Sequence, residues 1–149
     1  MDNILLGDFL SYGRGRWSQI YILIKQNRYL EAFNLIERTG FRGKTHISAI
    51  RKIHEPIAKL CDRIAGLSDS ELTIHTNELQ QDLVRSVIVV RYQAERGLID
   101  RDLASAIING LQEIYKALAG KKYDLARDNA SRLRIFLDSI IAFKYNQLK

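Results

Sequence analysis

Apolar residues recur at every third or fourth position through most of this chain, the spacing that lines one face of an α-helix. A short helix is predicted over residues 2–11 and stops at Tyr12-Gly13-Arg14-Gly15. A second runs from near Arg16 to Arg38 on a stripe of Trp17, Ile20, Tyr21 and Ile24, with Asn27 marking a break before Leu30, Phe33 and Ile36. Gly40 and Gly43 frame the turn that follows. Thr45 is the expected N-cap of the next helix, whose stripe is Ile47, Ile50, Ile53 or His54, Ile57, Leu60 and Ile64. Its opposite face carries Lys44, Ser48, Arg51, Lys52, Lys59 and Arg63. Pro56 falls inside this pattern and has no N–H for the i−4 carbonyl, so it is expected to kink the helix. Because one stripe continues through it, a kink within a single packed arm is favoured over a hinge. Residues 67–75 read as a loop.

The pattern resumes over residues 76–96, where Val87-Ile88-Val89-Val90 puts apolar side chains on nearly every face. That marks a central, wrapped helix, expected to be the most buried element. Gly97 ends it. Asp100 is a natural N-cap for a fifth helix with Leu103, Ile107, Leu111, Ile114 and Leu118 inward, ending at Gly120. A last helix over 122–148 would reach roughly 40 Å at 1.5 Å per residue, its core stripe being Leu125, Leu133, Phe136, Ile140 and Phe143. The fold expected is all-α: one bundle of about five to six helices over residues 1–149, kinked at Pro56, with a long C-terminal helix.

Composition agrees with a packed domain: 46% of residues are hydrophobic and 27% charged, a globular balance. No apolar run approaches the roughly 20 residues that span a bilayer, and the first residues lack the basic and apolar regions of a signal peptide. No membrane association is expected. Cys61 is the one cysteine, which excludes an internal disulfide and fits a reducing cytoplasm. Its apolar neighbours suggest an inert core thiol.

Charge adds what the hydrophobic pattern cannot. Residues 9–54 hold nine basic side chains against Glu31 and Glu37, and no acidic residue lies between Glu37 and Glu55. The formal net charge of +6 therefore belongs to the N-terminal third. A one-sided excess is an electrostatic footprint for a polyanion, nucleic acid first among them, with acidic protein and anionic lipid as the other partners it suits. Lys44, Arg51 and Lys52, with Arg42 from the preceding turn and the Ser48 hydroxyl beside them, share a helix face and are the foremost candidates for phosphate contact. Arg91 and Arg96 flank Tyr92 near the end of the central helix, where they either reach phosphate or serve the helix terminus. Arg14 and Arg16 beside Tyr12 and Trp17 resemble a platform for stacked bases. Trp17 also opens an apolar stripe, so core packing is favoured for it.

Catalytic chemistry is not evident. His46, His54 and His75 are the only histidines, and no acidic or thiol partner completes a zinc set around them. Arg42 and His46 are a poor match to the arginine–histidine pair of helical ribonucleases, and Gly13-Arg14-Gly15 lacks the Lys and Ser/Thr of a phosphate loop. No enzyme activity, metal or cofactor is expected.

Three segments resemble one family. Ser48-Ala49-Ile50-Arg51-Lys52-Ile53 looks like a conserved Ile-Arg-Lys segment in the small subunit of type III-A CRISPR effector (Csm) complexes. Tyr92 and Arg96 are similar to that family's Tyr and Arg four apart. Phe136 to Tyr145 resembles its terminal signature, with Phe143-Lys144 where the family often has Tyr-His. The resemblance implies a non-catalytic, cytoplasmic, antiviral-defence protein whose copies stack along a ribonucleoprotein filament and contact CRISPR RNA and target RNA beside other Csm subunits. Cleavage would belong to those neighbours. In isolation the chain could pair as a homodimer by exchanging helices about Pro56. The alternative is a stand-alone helical adaptor docking an acidic protein through the basic N-terminal third.

Overall fold

A computed structural model describes residues 15–43 and 45–145. The expected helix over 2–11, its stop at 12–14 and Lys44 lie outside the described residues. Six helices follow: α1 (Arg16–Lys25), α2 (Tyr29–Arg38), α3 (Ile47–Gly66), α4 (Asp69–Glu95), α5 (Arg101–Ala119) and α6 (Tyr123–Lys144), with no strand among the described residues. The expected all-α bundle is what forms. The helices alternate in direction, so α1, α3 and α5 begin at the end of the bundle where α2, α4 and α6 finish. Ties at that end include His46 N–H to the Leu98 carbonyl (3.0 Å), Lys144 Nζ to the Glu37 carbonyl (2.9 Å) and Trp17 N–H to Asp102 (2.7 Å).

The break between α1 and α2 falls where the sequence places it. Asn27 has φ +61°, a left-handed conformation that Asn tolerates and a helix does not. Pro56 lies inside α3 without splitting it. Ile50 and Ile53 before it and Ile57, Leu60 and Ile64 after it are all buried. Packing against α6 and α4 therefore carries the helix across the missing donor.

Four expectations are corrected. Residues 67–75 are not a loop, because Ser68 and Glu71 form a reciprocal capping box that starts α4 at Asp69. Thr45 is not the N-cap of α3; His46 occupies that position, and the Thr45 hydroxyl instead accepts from the Asp100 N–H (3.0 Å). The element over 76–96 is not the most buried. In α4 seven of 27 residues are buried, whereas in α5 thirteen of 19 are. Leu125 and Phe143 are exposed rather than core, since the buried arc of α6 is centred on Ala126, Ala130, Leu133, Leu137 and Ile140. That arc is fixed by where the neighbouring helices lie, which a single helical stripe does not encode.

α5 takes the central place because its small residues let partners close in. A Cβ on Gly110 would sit 2.8 Å from the Tyr21 hydroxyl and 2.9 Å from Leu133 Cδ1. In α4 only Val87 and Val90 of the β-branched run point inward, while Ile88 is 59% and Val89 40% exposed. Truncating Val90 to Ala should therefore cost about 2 kcal/mol. Ile88→Ala should stay within about 0.5 kcal/mol. Urea unfolding followed by circular dichroism compares them, and equal losses would put both side chains in the core.

Cys61 is buried on α3 as expected, and burial, followed by the nearby Asp62 carboxylate, pushes its thiol up to about 12. It stays protonated near neutrality. Lys144 is also buried; desolvation holds its ammonium below the ordinary lysine range, and it donates to the Glu37 carbonyl in the last turn of α2. No helix among the described residues is long and apolar enough to cross a membrane.

Candidate nucleic-acid interface

Two buried aspartates organise the end of the bundle where the basic residues gather. The N-cap of α1 is Gly15, which has no side chain to cap the free N–H groups of the first turn. The carboxylate of Asp102, from the first turn of α5, supplies the acceptors. Its Oδ2 takes the Trp17 N–H (2.7 Å) and Ser18 N–H (3.3 Å), and its Oδ1 takes the Gly15 N–H (3.2 Å) and Ser18 hydroxyl (2.8 Å). A Cβ on Gly15 would fall 2.3 Å from the Asp102 carboxyl carbon, so this position needs glycine. Asp100, two residues earlier, has two roles. Its Oδ1 caps α5 at the Asp102 and Leu103 N–H groups (2.8 and 3.2 Å), and its Oδ2 accepts the Arg42 backbone N–H. The 39–46 turn is thus pinned to the 97–102 turn, and the Arg42 guanidinium projects from a fixed backbone.

The structure brings several of the sequence candidates together. Arg42 leaves the pinned turn, Ser48 and Arg51 stand on the first turns of α3, and Arg96 caps the end of α4; all four are exposed at the same end of the bundle. Lys52 is exposed one residue further along α3. Arg51 reaches the Tyr145 hydroxyl (3.3 Å), and the Arg96 guanidinium lies over the Tyr92 ring at 5.4 Å from its centroid. Tyr92 and Tyr145 are exposed, so these cations rest on polarizable surface and not on carboxylates. Arg91, in the last turns of α4 before Arg96, is half-buried.

Arg16 joins the cluster, a residue that local sequence left beside Trp17. Trp17 itself is core: it is 1% exposed, donates from Nε1 to the Gly40 carbonyl (3.3 Å) and stacks on Phe41 at 5.2 Å and 10°. It is therefore no platform. Phe41, half-buried above it, lines a cavity of about 390 Å³ together with Arg16 and Arg42. Sequence reasoning missed Phe41 because it meets Trp17 across a turn and a helix, with no periodic signal linking them.

The electrostatics of this end differ from those of the rest of the bundle. Many cations elsewhere are neutralised: Lys25 by Glu113 (2.8 Å), Arg63 by Glu78 (2.9 Å), Arg127 by Asp69 and Asp124 (2.6 and 2.7 Å), and Arg134 by Asp62 and Asp138 (both 2.9 Å), whereas Lys121, Lys122 and Arg132 enter no ion pair among the described residues. Among the described residues, Arg16, Arg42, Arg51, Lys52 and Arg96 enter no ion pair with a carboxylate. Of the carboxylates at this end, Asp100 and Asp102 are buried and filled by N–H donors, Glu95 is taken by Arg101 (2.8 Å), and Glu37 is exposed in the last turn of α2. The excess positive potential is therefore directed outward.

The histidines do not converge. His46 is the N-cap of α3, His54 contacts Asp138 (2.8 Å) on α6, and His75 contacts Glu78 (3.5 Å) on α4. Among the described residues no three His, Cys, Asp or Glu side chains are placed to hold a metal ion. No protein-family model, curated protein or solved structure matches this chain.

Proposed function

We propose that this chain is a non-catalytic RNA-binding structural subunit that holds single-stranded RNA by its phosphates at the basic end of the bundle. The observation that carries the proposal is the convergence of Arg16, Arg42, Arg51, Lys52 and Arg96 from four segments of the chain, with no carboxylate among the described residues paired to any of them. Lys and Arg on phosphates supply affinity without reading sequence, which suits a subunit that must hold any strand. The Ser48 hydroxyl adds a donor, and the Phe41 ring between Arg16 and Arg42 offers a face to a base. Together with the resemblance of residues 48–53, 92–96 and 136–145, this supports a place in a type III-A CRISPR interference ribonucleoprotein. There, copies of the chain would stack with other Csm subunits along CRISPR RNA and target RNA, and cutting would be left to the neighbours.

The test is filter retention of two labelled RNAs of unrelated sequence by the purified chain over a salt series, with the RNA recovered on a gel. Both RNAs should be retained alike, less so as salt rises, and remain uncut. Cutting that disappears in His46→Ala or His54→Ala would make the chain a nuclease. Retention of a folded acidic protein but of neither RNA would favour the adaptor.

A further inference from the structure

A second surface adjoins the RNA-binding end, sharing Lys52 with it, and has different chemistry. α3 and α4 run antiparallel, and between them opens a groove of about 440 Å³. Ile53, Ile57 and Leu60 form its floor, with Pro56 and Val89 on its walls. The apolar character continues beyond the groove along α4, where Ile88 and Tyr92 are 59% and 58% exposed and share one face at i, i+4 spacing. Such adjoining side chains in water mark an interaction surface more often than chance exposure. The rim is basic: Lys52, Lys59, Arg63 and Arg85 line it against one carboxylate, Asp82. Arg63 is held by Glu78 (2.9 Å), while Lys59 and Arg85 have loose partners in Glu55 and Asp82, each at 3.5 Å with all four of those side chains in water. Lys52, Lys59 and Arg85 are therefore the cations open to an occupant.

We infer that this groove docks an acidic amphipathic helix of a partner protein. An aliphatic floor between two parallel walls accepts a ridge of side chains at i, i+3 or i+4, and i+7, the helix-in-groove mode. From Lys52 to Arg63 the α3 wall extends roughly 17 Å at 1.5 Å per residue, room for about three turns of such a ridge. The rim cations select carboxylates on the flanks of that ridge and disfavour a basic helix. RNA fits the groove poorly, since the floor offers aliphatic carbon and no aromatic ring for a base. Pro56 adds a polar feature to the wall: it has no N–H, so the Lys52 carbonyl lacks its i+4 donor and can accept from the occupant. The groove shares Lys52 with the RNA-binding surface, but its apolar floor and its other rim cations do not depend on that reading, and it stands if that reading falls.

The probe is a fluorescently labelled acidic peptide with Leu at every third or fourth position and Glu between, read by anisotropy with the full chain. Controls are the same composition scrambled to break the stripe, and the same stripe with Lys for Glu. The acidic amphipathic peptide should bind at least about tenfold more tightly than either control. Val89→Asp should weaken it by roughly tenfold, as should Lys59→Glu combined with Arg85→Glu. Val89 is 40% exposed and outside the core, and the two cations are more exposed still, so melting temperatures should hold, which separates lost docking from lost fold. Equal binding of the scrambled peptide, no binding of the acidic one, or binding unchanged in both variants would overturn the inference. So would a dimer in light scattering that Val89→Asp dissolves, because the occupant would then be a second copy.

Discussion

Replacing Asp102 with Ala is expected to lower the melting temperature by roughly 10 °C, a loss of about 3–5 kcal/mol. The carboxylate accepts from three backbone N–H groups and one hydroxyl, and the side chain is 7% exposed. Alanine leaves those donors in a buried site without acceptors, at about 1–3 kcal/mol each before water or local shifts recover part of it. It also removes the negative charge that faces the positive end of the α1 dipole. Asp102→Asn should lose less, because one oxygen still accepts while the new amide opposes N–H donors. Gly15→Ala should destabilise by a different route, by pushing a methyl group into the same carboxylate. Thermal circular dichroism at one pH ranks the three. An Asp102→Ala variant that melts within about 2 °C of the parent would show that α1 is not held this way.

Replacing Arg42, Arg51 and Lys52 together with Ala is expected to weaken single-stranded RNA binding about 100-fold at roughly 0.1 M salt. On a single strand each neutralised phosphate contributes about −0.7 to the slope of log affinity against log salt, so three contacts contribute about two units. Two units over the tenfold range from about 1 M down to 0.1 M give the 100-fold. Unrelated sequences should lose affinity equally, because phosphate contacts carry no base information. The fold should survive. All three side chains are exposed, and the tie between residue 42 and Asp100 runs through the backbone N–H, which alanine keeps. An unchanged slope would move the RNA surface elsewhere and defeat the assignment of these residues.

Much of the fold was legible because it is written locally. Periodicity located the helices, Asn27 and Gly97 their breaks, and Asp100 the start of α5. The loop assigned to 67–75 was a misreading of a local signal, since Ser68 and Glu71 stand at capping-box spacing and the box forms. The burial ranking failed for a different reason. Val87-Ile88-Val89-Val90 is apolar all round, yet α4 lies at the side of the bundle and turns Ile88 and Val89 to water. α5, with less conspicuous residues such as Ala104, Ala106 and Gly110, is wrapped because small side chains allow close approach from several directions.

By itself, then, the sequence determined that the chain is helical, roughly where each helix starts and stops, and that its positive charge is concentrated in the N-terminal third. Those are properties of neighbours along the chain: i, i+3 and i+4 spacing, local caps, and summed charge. Only the tertiary structure decided which helix is central, that a carboxylate 85 residues away caps α1 at Trp17, and that Arg96 stands at the same end as Arg16, Arg42 and Arg51. It also decided which cations are neutralised, because partners such as Asp62 for Arg134 are distant in sequence and meet only when antiparallel helices set their register. The physical reason is common to all of these. Hydrogen bonds and ion pairs between helices depend on the direction and rotation of whole elements, and packing fixes both.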